Sequence, residues 1–168
     1  FRLGVSGSGK SFSAKEEIVD LALSTEDDIL ILDPESEFGS LVEALNGEVI
    51  SISATSHTHL NALDMDSAYG NDKNPLIEKS EFILSLFEQL VGAGNLSAKE
   101  KSILDRCTAD VYREYIRSGY QSEVPTLKDL YRQLMLQPEE EARGLALSSE
   151  LFINGSLNTF AQKTNVDT

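Results

Sequence analysis

The chain has 168 residues, 40% of them apolar, which suits one domain or one core carrying an insertion and argues against disorder. Fourteen basic residues against 28 acidic ones give a net charge of −14, so the surface repels phosphate backbones and direct contact with nucleic acid is not expected. The single cysteine, Cys107, excludes an internal disulfide and a paired-cysteine metal site, and no apolar run approaches the roughly 18 residues of a membrane span.

In chain order, Phe1 to Val5 reads as the end of a buried strand running into a glycine–serine loop, Ser6 to Gly9. The chain opens on FRLGV rather than on methionine and so reads as an excised piece. Lys10 to about Ser24 carries Phe12, Ile18, Leu21 and Ala22 at helical period. After a polar break, Ile29 to Leu32 form a continuous apolar run, the pattern of a strand buried on both faces of a parallel sheet. Phe38, Leu41, Val42 and Leu45 share a helical face ended by Asn46-Gly47, and Val49, Ile50 and Ile52 supply a third strand. The order β-loop-α-β-α-β predicts an α/β parallel sheet over residues 1–66.

From Asp66 the texture changes to a polar linker and then to helix alone. Leu76, Ile83, Leu84, Phe87, Leu90 and Val91 form a stripe stopped by Gly92 and Gly94. Ser97-Ala-Lys-Glu100 is a capping box opening a helix through Ile103, Leu104, Cys107, Val111, Tyr115 and Ile116 to about Gly119. Thr126 and Asp129 bracket the start of a third helix with Leu127, Leu130 and Leu134 inward, and Pro138, as first helical residue, opens a fourth through Ala142, Leu145 and Leu147. Residues 67–147 thus read as an all-helical insertion, with 148–168 returning to the core. Cys107, Tyr112, Tyr115, Tyr120 and Tyr131 fit packing roles, and His57 and His59 lack the third ligand of a metal site.

The strongest chemical signal is Gly4-Val-Ser-Gly-Ser-Gly9-Lys10-Ser11, a full G-x-x-x-x-G-K-[ST] string. Over a chain of this length it arises by chance at roughly 0.6%, and a strand before it and a helix after it are the context it requires. Backbone amides from Ser6, Gly7, Ser8, Gly9 and Lys10 would cradle the β-phosphate of ATP, with Ser11 and Phe12 continuing the site into the helix. Lys10 would neutralise the β- and γ-phosphates, Ser11 would ligate Mg2+, and the helix dipole would add its positive end. Asp33 and Glu35, at the end of the second apolar run, either face the γ-phosphate and its metal as catalytic groups or serve the start of the next helix; Glu37 fits the second role. No apolar strand ending in Asp stands where a Walker-B acid belongs, so that strand is expected beyond Thr168.

Three segments resemble the conjugal-transfer and type IV secretion ATPases of the TraC/TraE kind, in the HerA–FtsK branch of RecA-like motors: Gly4 to Ile18, Ile31 to Ser53 and Asn154 to Thr168. The last looks like the "G-S-L-x-x-F…T-N-V" stretch that precedes the Walker-B strand in that family. One departure stands out: where such proteins often read "N-P-x-D", this chain has Asn61-Ala-Leu-Asp64. The resemblance implies a RecA-like P-loop NTPase core with an all-helical subdomain, cut before the Walker-B strand. It further implies ATP hydrolysis with Mg2+ and a hexamer of like copies. It places the motor in the cytoplasm at the inner face of a bacterial membrane, working with the components of a secretion or conjugation channel, and puts the catalytic glutamate beside the Walker-B acid. Two other readings of the residues stay open: a P-loop small-molecule phosphotransferase with a helical lid, and a nucleotide-regulated protein-interaction module. Arg106, Arg113, Arg117, Arg132 and Arg143, spread along helices rather than aimed at one point, disfavour the first.

Overall fold

Where the chain repeats its apolar residues every three to four positions, it forms helix. In the computed structural model, which describes residues 9–53, 55–70, 74–155 and 158–166, these are α1 (Lys10–Ser24), α2 (Gly39–Ala44), α3 (Pro75–Val91), α4 (Ala98–Arg117), α5 (Leu127–Met135) and α6 (Glu140–Ile153), followed by a 3-10 turn at Asn158–Ala161. The chain divides into two units, Phe1–Ile50 and Ser51–Thr168.

The expected parallel sheet is not found: among the described residues there is no strand. Ile29–Leu32 has no regular structure, and Leu30 and Leu32 are each 88% exposed. Val49 and Ile52 are likewise about half exposed, at 51% and 50%. An apolar run records a demand for burial, but a strand exists only where a second segment meets its backbone N–H and C=O groups, and among the described residues neither run has such a ladder. The strand expected over Phe1 to Val5 lies outside the described residues. The RecA-like sheet read from the sequence is therefore replaced, in what the structure describes, by helices joined by irregular chain.

The second unit is where the core sits. Leu63, Ile83, Phe87, Leu104, Cys107, Tyr112, Leu130, Leu134 and Leu145 are essentially inaccessible to solvent. Helix α4 packs against α3 and α5, and α5 against α6. Each helix has a local reason to start and stop where it does. Pro75 occupies the first turn of α3, where its missing N–H costs nothing. Both capping boxes are formed: the Ser97 hydroxyl accepts from the Glu100 N–H while the Glu100 carboxylate accepts from the Ser97 N–H, and Thr126 and Asp129 repeat the exchange at α5. Helix α4 ends in a left-handed reversal at Gly119 (φ +68°), where Tyr120 donates to the Tyr115 carbonyl, Gly119 donates to the Ile116 carbonyl, and the two tyrosine rings meet edge to face at 5.4 Å. Pro138 stands outside α6, whose cap is Glu139, and Leu147 is 54% exposed; Ala142, Leu145, Ala146, Ser149 and Ile153 form the buried face instead. No helix among the described residues is long and apolar enough to cross a membrane.

The Ser97 cap is exposed, so its loss is read without disturbing the core. Ser97→Ala is expected to lower unfolding stability by about 1 kcal/mol. Urea midpoints of the two proteins measure this, and an unchanged midpoint would mean that the capping box does not contribute.

Candidate nucleotide site and the turn that closes the helical unit

Of the phosphate-loop residues, Ser6, Gly7 and Ser8 lie outside the described residues. Gly9 is the N-cap of α1, in the left-handed region at φ +78°, ψ +16°. A Cβ at Gly9 would meet nothing within 4 Å among the described residues, and the backbone angle by itself favours glycine there. Lys10 is the first residue of α1, and the Gly9 carbonyl accepts from the Ser13 N–H at 3.0 Å, closing the first turn. Ser11 is half-buried, and Phe12 is 68% exposed. No side chain caps α1 and its first turn contains no acidic residue, so its N-terminal amides face no competing carboxylate of their own helix. A helix start of that kind is suited to an anion.

Asp33 and Glu35 share the turn that leads into α2. The Phe38 N–H donates to Asp33 Oδ2 at 2.8 Å, and Ser36, at φ +57°, donates its N–H to the Asp33 carbonyl. The Phe38 hydrogen bond is the largest influence holding the Asp33 carboxyl below the usual range, against a smaller opposing effect of desolvation. Glu35 and Glu37 are exposed. The Lys15 ammonium lies 5.3 Å from the centre of the Phe38 ring, linking α1 to the start of α2.

A second polar cluster, in the helical unit, carries more hydrogen bonds. Asn61 is 6% exposed; its side-chain amide donates at 2.8 Å to both Asp64 Oδ1 and the Pro125 carbonyl and accepts at 3.1 Å from the Leu63 N–H. The Tyr112 hydroxyl donates to the Leu63 carbonyl and the Tyr115 hydroxyl to the Met65 carbonyl, so two phenols of α4 pin the turn from below. Ala62, at the position where the resembling proteins often have proline, donates its N–H to the Phe160 carbonyl at 3.3 Å. A proline at this position could not make that bond. The sequence marks Asn61 and Asp64 only as a departure from the resembling proteins and gives them no role. Their Asn-x-x-Asp spacing was the available signal, since such side chains commonly close turns on themselves.

Lys79 of α3 was not singled out from the sequence at all. It is 3% exposed, with its ammonium 3.5 Å from the Ala62 carbonyl and 3.9 Å and 4.9 Å from the ring centres of Tyr69 and Phe82. Burial pushes it down from 10.5 to about 8, and the Asp64 charge opposes the fall. Because the folded value lies below the unfolded one, the unfolded chain binds more protons between them, and Lys79 adds stability as pH rises. Between pH 8 and pH 9 the gain is expected to be about 1 kcal/mol. Above pH 9 the buried Cys107 thiol, pushed up to about 11, pulls the other way because the unfolded chain ionises first. Urea unfolding of the wild type and Lys79→Met at pH 8 and 9 isolates the lysine, and an equal change of stability with pH in the two would refute the lowered folded-state value.

Four of the five arginines of α4 to α6 are spent on nearby carboxylates, and Arg143 is exposed. Arg106 pairs with Glu139 at 2.8 Å, Arg132 with Asp129 at 2.8 Å, Arg117 with Glu114 at 3.2 Å, and Arg113 with Asp110. That arrangement is not a lid lined with phosphate-seeking guanidiniums.

A family model described as the helicase HerA central domain matches residues 3–167. No curated protein matches the chain. Among solved structures, that of VirB4 of Thermoanaerobacter pseudethanolicus is similar over 98% of this chain, with a TM-score of 0.75 and 24% sequence identity. The chain spans 45% of the length of that VirB4 chain. The likeness concerns the fold.

Proposed function

Because the chain belongs to the family of the helicase HerA central domain, we propose that it is the nucleotide-binding part of an ATP-hydrolysing motor that energises conjugative DNA transfer or type IV secretion. The observation that carries the reading is the string Gly4 to Ser11, which ends at the start of α1 on a left-handed Gly9, in a helix whose own first turn holds no acidic residue. ATP with Mg2+ fits this chemistry. On this reading the Gly7 to Lys10 amides would hold the β-phosphate, with Ser6 and Phe12 at the edges of the site, the Lys10 ammonium would neutralise charge on the β- and γ-phosphates, and the Ser11 hydroxyl would hold the metal. Mg2+ supplies countercharge to the polyphosphate when bound.

Asp33 and Glu35 are the acidic side chains of this unit proposed to act beside the nucleotide. Asp33, whose carboxylate accepts from the Phe38 N–H, would orient the attacking water or hold the metal through water, with the exposed Glu35 beside it in the same turn. The fold likeness to VirB4 supports the secretion setting. We place the motor as a hexamer of like copies in the cytoplasm, at the inner face of a bacterial membrane, against the components of the channel. The charge of −14 makes nucleic acid an unfavourable direct partner for this part of the protein. Titration calorimetry of the full-length protein with Mg·ATP tests the reading: saturable uptake is expected, and its absence would overturn it.

A further inference from the structure

The chain enters the helical part of the second unit along Ser53 and residues 55–65 and leaves it along residues 159–166, and the two stretches, 98 to 108 residues apart in sequence, are bonded side by side. The Thr164 hydroxyl accepts from the Asn61 N–H at 2.8 Å and donates to Asp64 Oδ2. Asn165 accepts from the His59 N–H at 2.8 Å, donates its own N–H to the His59 carbonyl at 3.2 Å, and donates its side-chain amide to the His57 carbonyl at 2.8 Å. The Thr159 hydroxyl reaches the Ser53 carbonyl at 3.3 Å, and Ala62 donates to Phe160. Residues 55–65 have no helix or ladder of their own, so these bonds are how part of that backbone is satisfied. Asn61 joins the pair to the body of the unit through the Pro125 carbonyl, and Tyr112 and Tyr115 join it to α4.

We propose that Asn61, Asp64, Thr164 and Asn165 form a clasp that makes both ends of the helical unit a single rigid joint, and that this joint positions the unit for turnover without contributing to nucleotide binding. The inference rests on the reading of the chain as an ATP-driven motor. A load applied along the chain on either side of an unclasped unit would first peel the irregular ends away, because locally bonded segments without packing open at low cost. With the clasp closed the load meets α4 and the buried core at once, and the unit is displaced whole. The four residues are positioning residues: they act through the placement of the unit.

The test uses the full-length protein. Thr164→Val keeps the shape but removes both the acceptor for the Asn61 N–H and the donor to Asp64, whereas Thr164→Ser keeps the hydroxyl. Thr164→Val is expected to lower kcat for ATP hydrolysis about tenfold with Mg·ATP affinity unchanged within about twofold, and Thr164→Ser to restore kcat to within about twofold. Amide exchange at His59, Asn61 and Asn165 should speed up in the valine variant and not in the serine variant. Should the valine variant fail to fold, Asn165→Ala, at an exposed position, must show the same split between kcat and affinity. Wild-type turnover in a variant whose clasp amides exchange freely overturns the proposal alone. A wild-type protein that takes up no Mg·ATP overturns the motor reading and the proposal with it.

Discussion

Replacing Lys10 by alanine in the full-length protein is expected to weaken Mg·ATP binding by about a hundredfold, since a hydrogen-bonded charge at a phosphate is worth about 1.5–3 kcal/mol. Hydrolysis should fall at least as far, because the same ammonium meets the charge that develops on the transferred phosphoryl group. The substitution is placed to be clean. Lys10 is the first residue of α1, and alanine is the best helix former, so the helix itself should persist. Calorimetry for affinity and phosphate release for rate measure the two losses, while circular dichroism confirms that helix is retained. An alanine variant that binds and hydrolyses as the wild type does would remove the phosphate loop from the mechanism and the proposed function with it.

The second large effect is on stability and falls in the helical unit. Leu104, in the middle of α4, is wholly buried. Leu104→Ala is expected to cost about 3–5 kcal/mol, combining lost transfer free energy with the cavity left behind. Leu30→Ala makes the contrast. Leu30 lies in the apolar run that reads as a sheet strand but is 88% exposed, and its truncation is expected to change stability by less than about 0.5 kcal/mol. Urea midpoints of the 168-residue chain and the two variants decide between the readings. If Leu30→Ala costs as much as Leu104→Ala, the run is buried and the absence of a strand at Ile29–Leu32 is wrong.

The two substitutions also separate what was legible in the residues from what was not. Helices were legible because their causes are local. The Lys10–Ser24 helix, the Ser97–Glu100 and Thr126–Asp129 boxes and the glycine stop after α4 all rest on bonds between residues five or fewer positions apart. The phosphate-loop string was legible for a similar reason: it is a run of adjacent residues whose chemistry is written in their order. The apolar runs at Ile29 and Val49 misled because hydrophobicity states a need for burial without naming what covers it. Lys79 escaped notice because lysines are seldom buried, and nothing beside it in the sequence announces the Tyr69 and Phe82 rings or the Ala62 carbonyl around its ammonium.

By itself, then, the amino-acid order determined most of the helices, the Ser97 and Thr126 caps and the presence of a G-x-x-x-x-G-K-S string. Only the tertiary structure decided that the apolar runs lack a ladder, that an ammonium lies under the Asn61–Asp64 turn, and that Thr164 and Asn165 close on residues a hundred positions earlier. The division follows the range of the forces. A helix turn is closed by neighbours four residues apart, whereas a ladder, a desolvated charge or a clasp depends on which distant segment the whole chain brings to that place.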